Sequence, residues 1–220
     1  MSNYLDDLLG VEPKHTKNVR HSSEQPNWQT PEIQLTAARI ALGGTIDFDP
    51  WSCVSGNARV KANMWYGPDH PDPRQRDGFA MWPMVSTVFC NHPGGTTARA
   101  WARVTKELCD CGEASFERAI WEGFSVEQLC TLGPKGASSP FTARYMCGPF
   151  YPVDFSIVLL RQRVHYLDPD KPDRPSRPGH ANYVLGIGTN PALFEIAYQA
   201  RGQIIHGDYT RLLFPDHFGA

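Results

Sequence analysis

Hydrophobic and polar positions along the chain follow two periods, one typical of helices and one typical of strands. In PEIQLTAARIAL, helical spacing predicts a helix with Thr30 as N-cap, Pro31 as the first helical residue and Gly43 as the stop signal. The same spacing predicts helices over 96–109 and 191–201. Short apolar runs bounded by Gly, Pro or Asp predict strands over 45–50, 84–90, 116–125, 155–167, 181–188 and 202–209, and a shorter helix is predicted over 126–132.

This alternation predicts a single α/β domain over 27–220, with a largely parallel sheet that has an antiparallel end. Residues 1–26 are polar and predict a flexible N-terminal arm. Open α/β sheets bind their ligands beyond the carboxyl ends of their strands. Polar residues that follow directly after a strand are therefore the first candidates for a site.

Composition limits the classes of partner. The formal net charge is −2, so a nucleic-acid contact has to come from a local basic patch. No stretch approaches the roughly 20 apolar residues of a membrane span, and the start of the chain lacks a secretory signal, which predicts a cytoplasmic protein without a membrane partner. The cysteines are expected to be free thiols. No metal site is predicted, although a zinc site is the alternative for the four residues without paired CxxC spacing: Cys109, Cys111, Cys130 and Cys147.

The first candidate site follows the predicted strand over 45–50, in IDFDPWSCVSGN. Asp47, Asp49, Pro50 and Ser52 combine carboxylates with small residues, which suits a ligand that carries hydroxyls and a cationic amine. The alternative is that Asp49 and Pro50 only begin a turn. Neither GxGxxG nor GxxxxGK[ST] occurs, so a dinucleotide or P-loop site has no support.

The second candidate site follows the strand over 84–90, in NHPGG. The carboxamide oxygen of Asn91 and the backbone carbonyl of His92, held by Pro93, are two acceptors for the protons of an exocyclic amine. Such a pair leaves the amine lone pair free to attack an electrophile. A strand end with an ordinary turn is the alternative, and the His92 side chain is either a base or a structural group.

Several short motifs occur in a fixed order: W-x-T-P (Trp28, Thr30, Pro31), IDFDPWS…N, DGFAMW (77–82) and VFCNHPGG…W (88–101), followed by RQRVHY and ANYVLGIG…F…G. This order resembles the phage-type DNA N-6-adenine methyltransferases, whose members have W-x-TP, (L/F)DP-small…N, DGL…W and NPPY…W. The resemblance spans roughly 27–206.

The resemblance implies a Rossmann-like class I fold that binds S-adenosylmethionine and acts on double-stranded DNA or a nucleobase. It places Trp28, Thr30 and Pro31 near the methionine part of the cofactor, and Asp47, Asp49, Pro50 and Ser52 in the cofactor loop. It matches Asn91, His92, Pro93 and Gly94 to the catalytic NPPY motif, whose aromatic residue stacks on a flipped base. A phage-encoded enzyme would work in the cytoplasm of its bacterial host.

The chain departs from the family at its catalytic motif, with His92 in place of the first proline and Gly94 in place of the aromatic residue. Stacking on an aromatic side chain contributes ~1–3 kcal/mol per base, so its loss weakens the grip on a base by roughly tenfold to a hundredfold. Trp65, Tyr66 and His92 are the aromatic substitutes that the sequence suggests. The departure predicts an altered target, an altered transferred group or lost catalysis.

Arginines provide the candidate phosphate-contacting surface: Arg99, Arg103, Arg161 and Arg163. The alternative for Arg99 and Arg103 is a solvated helix face. Together with these residues, the resemblance implies an S-adenosylmethionine-dependent DNA methyltransferase that acts on an exocyclic amine, with adenine N6 as the favoured target. Two alternatives remain: a phage nucleobase-modifying enzyme on the same fold with another donor or product, and a non-catalytic nucleic-acid-binding relic.

Overall fold

The computed structural model describes residues 29–93, 96–109, 115–125, 154–168 and 182–208. These residues form an α/β fold with one mixed sheet, so the predicted class is confirmed. The strands are β1 (Phe48–Asp49), β2 (Met64–Trp65), β3 (Val85–Asn91), β4 (Phe116–Ser125), β5 (Asp154–Leu160), β6 (Asn182–Ile187) and β7 (Gly202–Asp208). The α-helices are α1 (Glu32–Leu42), α2 (Val54–Val60), α3 (Thr97–Cys109) and α4 (Pro191–Tyr198), with a 3₁₀ turn at Pro73–Gln75.

The strand order in the sheet is β2-β1-β3-β4-β6-β5-β7. The first four strands are parallel, whereas β6 is antiparallel to both β4 and β5, and β7 is antiparallel to β5. From β1 the chain moves outward to β2 and then returns to β3 on the other side of β1. The strand order therefore reverses between β1 and β3, which is where open α/β sheets leave a crevice for ligands.

The core has one layer on each face of the sheet. α1 and α4 cover one face, because the apolar residues of α1 recur at helical spacing and pack on α4 and on β4. α3 covers the other face with Ala100 and Val104, beside an aromatic group that includes Trp82 and Trp121. No helix among the described residues has the length and apolar composition needed to cross a bilayer.

Several predicted boundaries are corrected. The strand predicted over 155–167 ends at Leu160, and further along the chain Leu167 pairs with Gln29 in an isolated antiparallel bridge. α2 and β2 were not predicted at all. Pro31, not Thr30, is the N-cap of α1. The predicted arm over 1–26 and helix over 126–132 lie outside the described residues.

Candidate active site

A cavity of about 450 Å³ lies at the carboxyl ends of β1 and β3, where the strand order reverses. Asp49 is the last residue of β1 and Asn91 the last residue of β3. The two motifs that the sequence analysis singled out therefore meet in one place. Six of the predicted site residues line the cavity: Thr30, Asp49, Pro50, Ser52, Asn91 and Pro93.

Asp49 is the acidic group of the cavity wall. Its side chain is only 3% exposed, and one carboxylate oxygen accepts the backbone N–H of Trp51 at 3.1 Å. Burial raises the pKa of Asp49 to about 7, with opposing contributions from the hydrogen bonds of Trp51 and Ser52. A ligand that donates hydrogen bonds here would favour the charged form.

The loop after β1 is held in place by two glycines of the segment between β2 and β3. A Cβ on Gly78 would lie 1.7 Å from the carbonyl oxygen of Pro50, and a Cβ on Gly67 would lie 2.0 Å from that of Ser52. Both distances are far below van der Waals contact, so only glycine permits this approach of the two backbones. The glycine of the DGF motif therefore shapes the cavity.

Asn91 is held by Thr30. The Asn91 side-chain Nδ2 donates to Thr30 Oγ1 at 3.0 Å, and Thr30 is buried at the start of α1. The amide nitrogen is thus occupied, and the carboxamide oxygen accepts no hydrogen bond from the described residues. An amide oxygen in this position is able to accept a hydrogen bond from a ligand in the cavity. Thr30, which was predicted both as a helix cap and as a site residue, lines the cavity and holds the Asn91 amide through its hydroxyl.

The His92 side chain does not line the cavity. It is 8% exposed, and its Nδ1 accepts the indole N–H of Trp121 at 3.2 Å. Burial lowers the pKa of His92 to about 4, so the ring is neutral at neutral pH with its proton on Nε2. These contacts give the side chain a structural role, and the predicted role of the His92 backbone carbonyl remains a prediction.

Two predicted cofactor residues lie outside the cavity wall. The carboxylate of Asp47 accepts the backbone N–H and the hydroxyl of Thr87, both at 3.0 Å, and the amide of Asn63 at 3.1 Å. Asp47 therefore ties the start of β1 to β3 and does not line the cavity. Pro31 caps α1 beside Thr30 without lining the cavity. Trp28 and Gly94 lie outside the described residues.

Arg99 lies at the rim of the cavity. Its guanidinium carbon is 3.9 Å from the centroid of the Phe79 ring, and its Nη2 is 3.9 Å from the carboxylate of Asp77. Phe79 and Asp77 both line the cavity. The Arg99 side chain is 65% exposed, so it is available to an anionic partner at the entrance.

Arg103, by contrast, is largely buried, whereas the sequence predicted it on a phosphate-contacting surface. Its side chain is 13% exposed and forms an ion pair with Glu107 one helical turn away. Glu107 also accepts the backbone N–H of Trp82 and the hydroxyl of Ser115. Arg161 and Arg163 are exposed and follow β5, whose carboxyl end lies on the same sheet edge as that of β3.

Sequence reasoning missed the aromatic residues of the cavity. Trp51 and Phe79 both line it, with ring centroids 5.4 Å apart. They directly follow the Asp-Pro and Asp-Gly pairs, and this adjacency is the signal that the sequence offered. The substitutes suggested by the sequence do not line the cavity, because Trp65 packs on His70 and Tyr66 packs on Phe48.

A buried acid behind the cavity was also missed. Glu122 of β4 pairs in register with Asn91 and is 1% exposed, and neither carboxylate oxygen has a hydrogen-bond partner among the described residues. Burial raises the pKa of Glu122 to about 8. Among the described residues, the buried hydroxyls of Tyr166 and Tyr198 also lack hydrogen-bond partners. Burial raises the pKa of each tyrosine, and the charge of Glu122 raises it further. No sequence signal distinguishes this glutamate from one that faces solvent.

Two arginines complete the cavity wall and were not predicted: Arg59 and Arg76.

Within the described ranges no group of three metal-ligating side chains occurs, and Cys111, Cys130 and Cys147 lie outside those ranges. No protein-family model, curated protein or solved structure matches the chain. A function can therefore be inferred only from the geometry of the site itself.

Proposed function

We propose that the protein is an S-adenosylmethionine-dependent methyltransferase that acts on an exocyclic base amine of DNA, with adenine N6 as the favoured target. The observation that carries the proposal is that Asp49 and Asn91 end the two strands at the strand-order reversal and line one cavity. The Rossmann-like class I fold belongs to the same proposal. It is supported by the parallel order of β2, β1, β3 and β4.

The size and the lining of the cavity support the proposed cofactor. Its volume of about 450 Å³ lies within the roughly 300–1,000 Å³ of small-molecule sites. When bound, S-adenosylmethionine supplies a methyl group on a positively charged sulfonium. Asp49 would accept hydrogen bonds from ligand hydroxyl or ammonium groups, and Thr30, Pro50 and Ser52 would form the adjoining wall.

The target amine would meet Asn91. Thr30 holds the Asn91 amide nitrogen, which leaves the amide oxygen to accept one amine proton. The His92 backbone carbonyl, followed by Pro93, is the second acceptor. Two acceptors would fix both N–H bonds and orient the lone pair towards the methyl group, so the rate would come from positioning.

Trp51 and Phe79 support a planar substrate in spite of Gly94. They place aromatic surface on the cavity wall, and the aromatic contacts that Trp51 makes with Trp82 and Trp121 hold its ring. Sequence-tolerant stacking needs only such a surface. The exposed Arg99 at the rim and the exposed Arg161 and Arg163 along the same sheet edge support contact with a phosphate backbone.

Calorimetry with S-adenosylmethionine and S-adenosylhomocysteine tests the cofactor, and transfer of a labelled methyl group to unmodified duplex DNA tests the reaction. Asn91→Ala should bind the cofactor as the wild type does but transfer methyl groups roughly 100-fold more slowly, by analogy with loss of one polar transition-state contact. Asn190→Ala, at the N-cap of α4, is the matched control and should keep the rate.

Absence of cofactor binding by the wild-type chain would overturn the proposal. Cofactor binding without transfer, together with intact DNA binding, would favour the non-catalytic alternative. A modified nucleoside whose added mass differs from one methyl group would favour the alternative with another donor or product.

A further inference from the structure

Arg59, in the last turn of α2, is a cation on the cavity wall without a partner in the described part of the chain. Its guanidinium forms no ion pair and donates no hydrogen bond within the described ranges, and its Nε is completely buried. Other arginines of the same part of the chain are paired: Arg39 with Glu32 at 2.9 Å and Arg74 with Asp72 at 2.7 Å. Arg59 thus differs from these two arginines in having no partner among the described residues.

The acids of the cavity do not account for this charge. The hydrogen-bond partners of the Asp49 carboxyl are Trp51 and Ser52, and the Asp77 carboxylate lies 3.9 Å from Arg99. The remaining arginine of the wall, Arg76, donates its Nε to the backbone oxygen of His70 at 2.8 Å. Among the described residues, neither arginine of the wall pairs with an anion, and Arg59 also lacks the hydrogen-bond acceptor that Arg76 has.

A buried N–H of a cation without an acceptor is costly, and buried polar groups in proteins are almost always satisfied. A guanidinium presents a planar fork of donors that matches a carboxylate or a phosphate. A ligand that brings an oxyanion into the cavity would satisfy Arg59, while its hydrogen-bond donors would satisfy Asp49.

We propose that Arg59 binds an oxyanion of the cavity's ligand. The inference deepens the proposed function and rests on it in one respect, since the ligand named there carries a carboxylate on its amino-acid part. A nucleotide phosphate offers the same chemistry. The experiment therefore compares both sources.

Two ligand pairs isolate the oxyanion. S-adenosylhomocysteine carries the amino-acid carboxylate that 5′-methylthioadenosine lacks, and deoxyadenosine monophosphate carries the phosphate that deoxyadenosine lacks. Calorimetry on the full chain should show that Arg59→Gln weakens binding of the charged member of one pair by roughly 10- to 100-fold. The uncharged member of that pair should be affected less than about twofold, since it makes no charged hydrogen bond to Arg59.

Arg59→Lys, which keeps the charge without the fork, should lose less affinity for the charged ligand than Arg59→Gln does. This variant also keeps the test decisive if Arg59→Gln fails to fold in thermal unfolding. The control is Arg74→Gln, an exposed arginine outside the cavity wall, and it should bind as the wild type does.

The proposal would be overturned if no pair showed a selective loss for its charged member, that is, if both members of each pair that binds lost affinity equally or neither charged ligand lost affinity. If the wild type binds neither S-adenosylhomocysteine nor methylthioadenosine, the proposed function fails, whereas the deoxyadenosine pair still decides the role of Arg59. Absence of binding for all four ligands overturns both.

Discussion

Asp49 combines deep burial with a place on the cavity wall, and its pKa of about 7 predicts that ligand binding depends on pH. Donors on a ligand favour the carboxylate, so affinity should rise as the pH rises through the pKa. Between pH 6 and pH 8 we expect S-adenosylhomocysteine to bind roughly tenfold more tightly. Calorimetry at three pH values measures this.

Asp49→Asn is the control for that titration, because it keeps the shape and removes the ionisable proton. Its affinity should be lower at pH 8 and flat across the range. A wild-type affinity that does not change with pH would contradict the role given to Asp49.

Glu122 should affect stability through its buried proton. The folded chain keeps this proton up to a pKa of about 8, whereas the unfolded chain releases it near 4.5. Between these values the folded state holds more protons, so the free energy of unfolding should fall by about 1.4 kcal/mol per pH unit from this group. Glu122→Gln should remove that slope, as measured by urea unfolding at pH 5, 6.5 and 8.

The exposed Glu117 lies on the same strand, so Glu117→Gln is the matched control and should leave the pH profile unchanged. Asp49, whose pKa is also raised, likewise makes the free energy of unfolding fall as the pH rises. His92, whose pKa is lowered, makes the free energy of unfolding rise with pH below its ordinary pKa of 6.5. The difference between wild type and Glu122→Gln isolates the one group. A difference that stays constant with pH would contradict the prediction.

At the level of elements, the segment between β2 and β3 shapes the loop after β1 through backbone contact. Gly78→Ala would force a Cβ against the Pro50 carbonyl oxygen and 2.5 Å from Cδ1 of Trp51. We expect it to lower the free energy of unfolding by roughly 1–3 kcal/mol, as overpacking does. It should also weaken ligand binding, because the cavity wall moves.

Gly44→Ala provides the comparison, since Gly44 has a φ of +119° but nothing within 4 Å of an added Cβ. This variant should lose stability through backbone strain alone and bind ligand normally. Thermal unfolding and calorimetry on both variants separate the two effects. Normal ligand binding by Gly78→Ala would exclude a role for this glycine in shaping the cavity.

The predicted elements that hold up are those with strong local signals. The 11-residue helix α1 and the strand β4 have periodic patterns, and β4 has the predicted bounds. The strand over 155–167 was too long, because an apolar pattern does not reveal where β5 stops pairing with β6 and β7. α2 was missed because VSGNARV has little helical periodicity; its N-terminus is fixed by Cys53 Sγ, which accepts the Gly56 N–H at 3.2 Å.

The residues of the candidate site could also be predicted from the sequence only in part. Asp49 and Asn91 were predicted because strand ends carry chemistry in this class of sheet. Asp47 looked equivalent to Asp49, but only the fold assigns Asp47 to Thr87, since residues so close in sequence can serve different segments. The positions of Arg59 and Glu122 relative to the cavity depend on how distant segments of the chain pack together, and no local sequence pattern reveals this packing.

For the whole molecule, the net charge of −2 means that the proposed affinity for DNA has to come from a local surface. Arg99 at the cavity rim and the exposed Arg161 and Arg163 lie on the carboxyl edge of the sheet. If all three bind phosphates, replacing them with Gln should reduce the slope of log affinity against log salt by about 0.9 for each phosphate that is no longer neutralised. Fluorescence anisotropy of a labelled duplex between about 50 and 200 mM salt measures this slope.

Two variants make that measurement specific to the surface. Lys106→Gln changes an exposed cation in the last turn of α3, away from the carboxyl edge, and should leave the slope unchanged. Arg103→Gln removes the buried partner of Glu107 and should lower stability while the folded protein keeps the wild-type slope. If the triple variant keeps the wild-type slope, these three arginines do not contact DNA phosphates. The amine proposed to bind Asn91 would then belong to a substrate smaller than DNA.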